Sequence, residues 1–445
     1  MHFNSKTLLN SIFSFFVFGS LFITLRVLLI GSDTSHSFFE YSISALPEIF
    51  VLLIVFYLVV YIKKNNLRVN FNYFDWVVVV YLISNVIIGV ILAKDLKLSI
   101  YGIRMTYLPM IFYFIASINT SEINEIEKYV DKIFKWFFVV GVFGLVLYFV
   151  FYDTMISMLL KTSGAKSINE VAQYFIVRMT SILWTPVVFG TFMATTFLYF
   201  YYRTLLNNTW YNYLFQGILI SCVLLSVSRG PIIISILGTI ILFIFNRKLK
   251  VLLYSTLLSM IVFLSVSSYI SKCYKAPPSV FIKWIVTSTT ETIELKKGVT
   301  RVDLWISAAD NLWENMLGAG LGKSGHVASR FSDPSLNHIT TVTSGVSVTS
   351  TDGWYLKLAN ETGMWGLFSY FILSGTLFIV SIKYMIKNSF GLYSFLFTLF
   401  VIVNIENITS NVLDFYLFSY LYWFLLGVMI FYLKLKNQEV KNIDC

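Results

Sequence analysis

Long apolar runs separated by short basic connections fill most of this chain, and the rhythm breaks once. Runs near the length needed to cross a ~30 Å hydrocarbon core fall at about 8–30, 43–62, 76–93, 107–118, 136–152, 186–202, 212–228, 231–246, 251–268, 364–386, 391–408 and 412–433. They predict about twelve transmembrane helices, and the fourth is short. The break is the one long polar segment, 269–362, so the expected organisation is nine helices over 1–268, this loop, then three helices and a short tail over 363–445. A structureless loop of that length inside a compact fold is uncommon without a function. Residues 120–135 carry apolar positions at helical spacing and predict a helix lying along the membrane surface. No internal repeat, low-complexity linker or separate soluble domain is legible.

Lys and Arg in the short connections orient the helices. Lys63 and Lys64, Lys128 and Lys132, Arg203, Arg247 and Lys248, Lys383, and Lys434 all fall on one side if the spans alternate. Both termini are then cytoplasmic and the long loop is extracytoplasmic. Lys94–Arg104 and Asp153–Thr185 are expected as shorter exterior segments.

Composition agrees: 445 residues, 57% hydrophobic, 18% aromatic and only 13% charged, with mean hydropathy +0.75. Soluble domains carry about 25% charged residues, which leaves a polytopic all-α membrane protein as the comfortable reading. The net charge of +10 is explained by cytoplasmic anchoring and anionic lipid. Without a dense basic run, nucleic-acid binding is not expected. The three scattered cysteines suggest neither a disulfide framework nor a metal cluster.

Candidate chemistry starts with arginine. Arg178, Arg229 and Arg301 fall on the exterior side, where orientation signals do not call for them. Guanidinium groups grip phosphate through paired donors and stay charged when partly desolvated. Any one could cap a helix or snorkel to headgroups; three together favour anion binding. Arg104, just before YLPMIFYF, is placed to assist. Arg229-Gly230-Pro231 predicts a tight reversal with the proline opening the next helix. Gly318, Gly320 and Gly322 resemble a phosphate loop only superficially, because the Walker spacing is absent; a flexible turn is the plainer reading. Asp352, Glu361 and His338 are the candidate bases, with His326 a weaker one. Asp352 and Glu361 lie nine residues apart, about 900° along a helix, so they need not share a face. Asp303, Asp310 and Asp333 read as solvated carboxylates. No clustered ligand set favours a metal, and neither metal nor other cofactor is expected. Trp305, Trp313, Trp354 and Tyr355 could stack on sugars, and interfacial anchoring explains the tryptophans equally well. Arg26, Glu48, Arg104, Glu406 and Asp414 fall within or near apolar runs, where charge is costly.

Four segments together resemble the O-antigen polymerase and ligase superfamily of bacterial membrane glycosyltransferases: VRMTSILWTPVVFG with Arg178, LLSVSRGPIII with Arg229, TRVDLWISAADNLWENMLGAGLG with Arg301, and DGWYLKLANETGMWGL with Asp352 and Glu361. The resemblance implies a GT-C-like multi-pass protein of the bacterial cell (inner) membrane. It would make an inverting, metal-independent transfer of a glycan from undecaprenyl pyrophosphate at the outer face. The arginines would hold pyrophosphate and a base would deprotonate the acceptor hydroxyl, with Asp352 the favoured candidate. Lipid-linked oligosaccharide and membrane lipid are the implied partners, together with a chain-length regulator and a flippase. Ligases of this build carry histidine where this chain has Asp352, which tilts the expectation towards polymerase. Ligase remains the enzyme alternative. A flippase or other transporter is the non-enzyme alternative, disfavoured because the polar residues concentrate outside the membrane rather than at its midplane.

Overall fold

The computed structural model describes residues 5–30, 38–66, 71–93, 95–118, 123–151, 168–171, 174–183, 185–274, 305–306, 309–310, 312–313, 316–325, 353–387 and 391–443. In chain order the helices are α1 (Ser5–Ile30), α2 (Phe38–Lys64), α3 (Tyr73–Ala93), α4 (Leu96–Gly102), α5 (Ile111–Ser117), α6 (Ile123–Phe149), α7 (Pro186–Leu206), α8 (Trp210–Leu225), α9 (Arg229–Asn246), α10 (Leu249–Tyr274), α11 (Trp354–Lys387), α12 (Leu392–Glu406) and α13 (Tyr416–Ile443). A π-turn, Ile103–Tyr107, and a 3-10 turn, Leu108–Met110, join α4 to α5. The protein is an all-α polytopic membrane protein. A short antiparallel hairpin, β1 (Ile168–Val171) with β2 (Tyr174–Val177), pairs Ile168 with Val177 and interrupts the helical pattern.

Each of the twelve apolar runs falls on helix. Among the described residues nine helices have the length and hydropathy to cross a membrane, and Trp210–Leu225 and Leu392–Glu406 are shorter apolar helices. α7 is rich in Thr and Tyr and is buried along nearly its whole length, the expected state of a helix surrounded by others. Its Thr191, Thr195, Thr196 and Thr204 hydroxyls donate to carbonyls four residues back, which lets polar side chains lie inside an apolar bundle.

Two expectations are corrected, and one helix gains an unexpected segment. The surface helix over 120–135 is the first half of α6. Its apolar stripe of Ile126, Val130, Ile133 and Phe134 is buried and faces protein, and no breaker separates it from the apolar run beyond. The fourth helix starts at Leu96, capped by Asp95, so most of the segment expected outside is helical. Beyond the long loop a further helical segment starts at Trp354 and breaks at Gly363, just before the expected run 364–386. Low local hydropathy hid both starts: Asp95 caps its own helix through the Lys97 and Leu98 N–H groups, and Lys357 and Glu361 find partners far along the chain.

The chain forms two interleaved units: 1–69, 119–286 and 389–399, and 70–118, 287–388 and 400–445. The first holds α1, α2 and α6 to α10; Phe134 stacks on Tyr199 with ring centroids 4.4 Å apart. In the second, α13 packs closely on α5. A carbon at the Cβ position of Gly427 would lie 2.3 Å from the Tyr113 carbonyl oxygen. Asp75 there is buried, accepts from Tyr113 Oη at 3.0 Å and pairs with Lys434 Nζ at 2.6 Å.

Residues 316–325 of the second unit press against α3, α4 and α11. Gly320 sits at φ +101, and a Cβ there would lie 2.2 Å from backbone atoms of Ala93; at Gly322 it would lie 2.3 Å from the Leu98 carbonyl oxygen. Gly320→Ala combines backbone strain with overpacking and is expected to cost roughly 2–6 kcal/mol. The check is thermal unfolding of detergent-solubilised protein, and an unchanged midpoint contradicts this packing.

Candidate active site

The second unit builds its charged cluster around a broken helix. Gly363 in α11 has φ 64 and ψ −151, so 354–362 and 364–387 are separate helical segments. In an unbroken helix the Met364 N–H would donate to the Asn360 carbonyl. Here it donates to the Met316 carbonyl at 2.8 Å. The Asn360 carbonyl accepts from Ala319 N–H at 2.8 Å, and the Glu361 carbonyl from Gly320 N–H at 2.9 Å. The glycine segment thereby satisfies backbone groups that the break would otherwise strand away from water. It is a packed strap, not a flexible turn, and its Ala319 and Gly320 amides face helix carbonyls.

The Glu361 side chain is tied to the same strap. Its Oε1 accepts from Gly322 N–H at 3.0 Å and Ser324 N–H at 3.3 Å. One turn earlier the fully buried Lys357 ammonium pairs with Asp414. It also donates to Thr106 Oγ1 at 2.8 Å and lies 5.3 Å from the centroid of the Trp354 ring. Thr106 is in the π-turn, a kind of helix irregularity frequent at functional sites. Asp414 is in a 3-10 turn, Val412–Asp414, leading into α13. Glu361 Oε2 and Asp414 Oδ2 are buried without a hydrogen-bond partner, as are both carboxylate oxygens of Glu406 and both amide atoms of Asn407. Buried polar atoms left unpaired are rare and demand a cause.

The first unit holds an arginine pair. Val227, not Gly230, makes the reversal after α8, in the left-handed region at φ 47. This is costly for a β-branched residue and characteristic of strained functional turns. Pro231 lies in the first turn of α9 as expected. The reversal presents the Ser226 carbonyl and Ser228 hydroxyl to Arg178, which donates to them from Nε at 3.1 Å and Nη2 at 2.5 Å. Met179 N–H donates to the Leu225 carbonyl at 2.9 Å and pins the segment beside the turn. Among the described residues no carboxylate pairs with Arg178. Burial first, and the neighbouring Arg229 charge second, lower its pKa to about 10. It stays protonated at neutral pH, so two cations share one turn. That arrangement suits a multiply charged anion.

Arg178 and Arg229 meet in the first unit; Arg104, Trp354, Tyr355 and Glu361 belong to the second. Arg104 lies in the π-turn two residues before Thr106. Trp354 is 1% exposed and edge-on to Tyr370, so it is a packing residue with no face open to a sugar. Tyr355 is also buried, stacked on Phe371, with its hydroxyl donating to the Asn404 carbonyl at 2.9 Å. Trp305, Trp313 and Asp310 are exposed. Arg301, His338, Asp352, His326, Asp303 and Asp333 lie outside the described residues. Lys357 is the charge that the sequence reading passes over. The signal was present: a lysine inside the apolar run WYLKLA, four residues before Glu361, is costly at membrane depth unless paired.

Residues 214–371 match the model of the family described as O-antigen ligase. No curated protein matches the chain significantly. The matched segment includes Arg229, the glycine strap, Lys357 and Glu361, and stops short of Arg178, Arg104 and Asp414. The match supports the O-antigen polymerase and ligase superfamily and a polymerase- or ligase-type function.

Proposed function

We propose, from its likeness to the O-antigen polymerase and ligase superfamily, that the chain polymerises lipid-linked oligosaccharide repeat units at the outer face of a bacterial cell membrane. The growing glycan is transferred from undecaprenyl pyrophosphate to a hydroxyl of the next repeat unit. The acceptor oxygen forms a bond to the anomeric carbon, the bond from that carbon to the phosphate oxygen breaks, and undecaprenyl pyrophosphate leaves with the electron pair. The acceptor proton passes to a base, and attack opposite the leaving group inverts the anomeric centre.

The observation that carries this reading is the Arg178–Arg229 pair on a strained turn, two cations without a carboxylate partner for Arg178 among the described residues. A pyrophosphate gains negative charge as the glycosidic bond breaks, so fixed donors there stabilise the transition state more than the ground state. From the resemblance, Arg301 is assigned to pyrophosphate, Asp352 to the base that takes the acceptor proton, and Trp305 to the sugar. No metal is assigned a step.

Ligase chemistry is the second reading, favoured by the description of the matching family model; the tilt to polymerase rests on Asp352 standing where ligases have histidine. The test is the surface glycan of cells lacking this gene, resolved on a gel. Single repeat units on a normal anchor are expected. Full-length chains left on the lipid carrier would establish the ligase, and loss of all exterior repeat units would point to a flippase.

A further inference from the structure

The first unit carries an apolar groove that the transfer chemistry does not use. It has a volume of about 620 Å³ and lies between α6, α8 and α10, walled by Leu145, Phe149, Trp210, Gly217, Leu258 and Tyr269. Ser221 and Ser265 also line it. Their hydroxyls donate within their own helices, to Gly217 O at 2.8 Å and Ile261 O at 2.9 Å. They therefore widen the groove without offering it an unpaired polar group. From Trp210 to Leu225, both on its wall, α8 rises about 22 Å, most of a ~30 Å hydrocarbon core.

The Leu225 end of this groove meets the arginines. The Leu225 carbonyl holds Met179 N–H, and the next carbonyl, Ser226, holds Arg178 Nε. On the opposite wall Gly144, adjacent to Leu145, leaves room for Met179; a Cβ there would lie 2.8 Å from Met179 Cε. One apolar track thus runs into a turn bearing two guanidinium groups.

We propose that this groove seats the isoprenoid tail of the lipid diphosphate whose head is bound by Arg178 and Arg229, an inference that rests on the function proposed above. A single apolar track suits one chain, and two cations suit a diphosphate. A phospholipid with two chains and one phosphate matches neither count. The tail enters from lipid rather than water, so packing instead of hydrophobic transfer sets its preference, and the expected gain is modest.

The test measures binding of undecaprenyl diphosphate and farnesyl diphosphate to the purified full-length protein in nanodiscs. The wild type is expected to bind the long-tailed probe about tenfold more tightly, on the order expected for packing alone. Gly217→Leu combined with Ser265→Leu should remove that preference while farnesyl diphosphate still binds, which also shows the variant is folded. Arg178→Ala should weaken both probes alike. A full tail-length preference in the filled-groove variant overturns the groove assignment and leaves the head site standing. Equal displacement of the long-tailed probe by phosphatidylglycerol also overturns it, because the groove is then an ordinary lipid contact. Arg178→Ala binding both probes as the wild type does would instead remove the diphosphate site on which the proposal rests.

Discussion

Cells carrying Arg178→Ala are expected to lose long-chain glycan while keeping the protein in the membrane at its normal level. Arg178 spends two donors on the Ser226 carbonyl and the Ser228 hydroxyl, which fixes its plane and leaves the remaining N–H groups for a ligand. Removing one preorganised donor of this kind costs about 10²–10³ in rate. Arg178→Lys should fare little better, because an ammonium keeps the charge but lacks the fork that holds two acceptors and an anion together. Arg229→Ala should give the same phenotype. The double variant should be scarcely worse than either single one, as holds for groups acting as a unit. The readout is the glycan ladder beside an immunoblot of the membrane fraction. A normal ladder from both single variants would falsify the pyrophosphate site.

Lys357→Met is expected to produce the largest loss of stability. Its ammonium is the ion-pair partner of Asp414, and both are fully or nearly fully buried. Removing one partner of a buried pair costs about 3–5 kcal/mol, because the other charge is left uncompensated. Lys357→Met together with Asp414→Leu should recover much of this, since an apolar pair of similar volume avoids the desolvation that the ions suffer. Thermal unfolding in detergent measures both. A single variant as stable as the wild type would mean that the pair is not held as the structure shows. Assaying glycan length in the double variant then separates roles. Stable protein with normal polymer makes the pair structural, and stable protein without polymer places it in the reaction.

Much of the fold was legible because it depends on local composition. A run of some twenty apolar residues is read directly from sequence, and each of the twelve falls on helix. The arginine turn was half legible. SRGP announced a reversal and a helix start, but the left-handed residue is Val227, a conformation no propensity assigns to valine. The glycine segment was misjudged for a related reason. MLGAGLGKSG looks like a flexible turn until Ala93, Leu98 and Gly363 stand against it, and then Gly318, Gly320 and Gly322 each mark a place where another backbone comes too near for a Cβ.

Hydrocarbon solvent thus makes apolar length a sufficient signal for helices, and the sequence carries it openly. Charge within those helices is different, because its cost depends on a partner that can lie anywhere along the chain. Lys357 meets Asp414 across 57 residues and Thr106 across 251. The backbone groups freed at Gly363 are taken up by residues 316–320. None of these pairings has a local signature. They exist because buried polar groups must be satisfied, and only the folded chain brings their partners within reach.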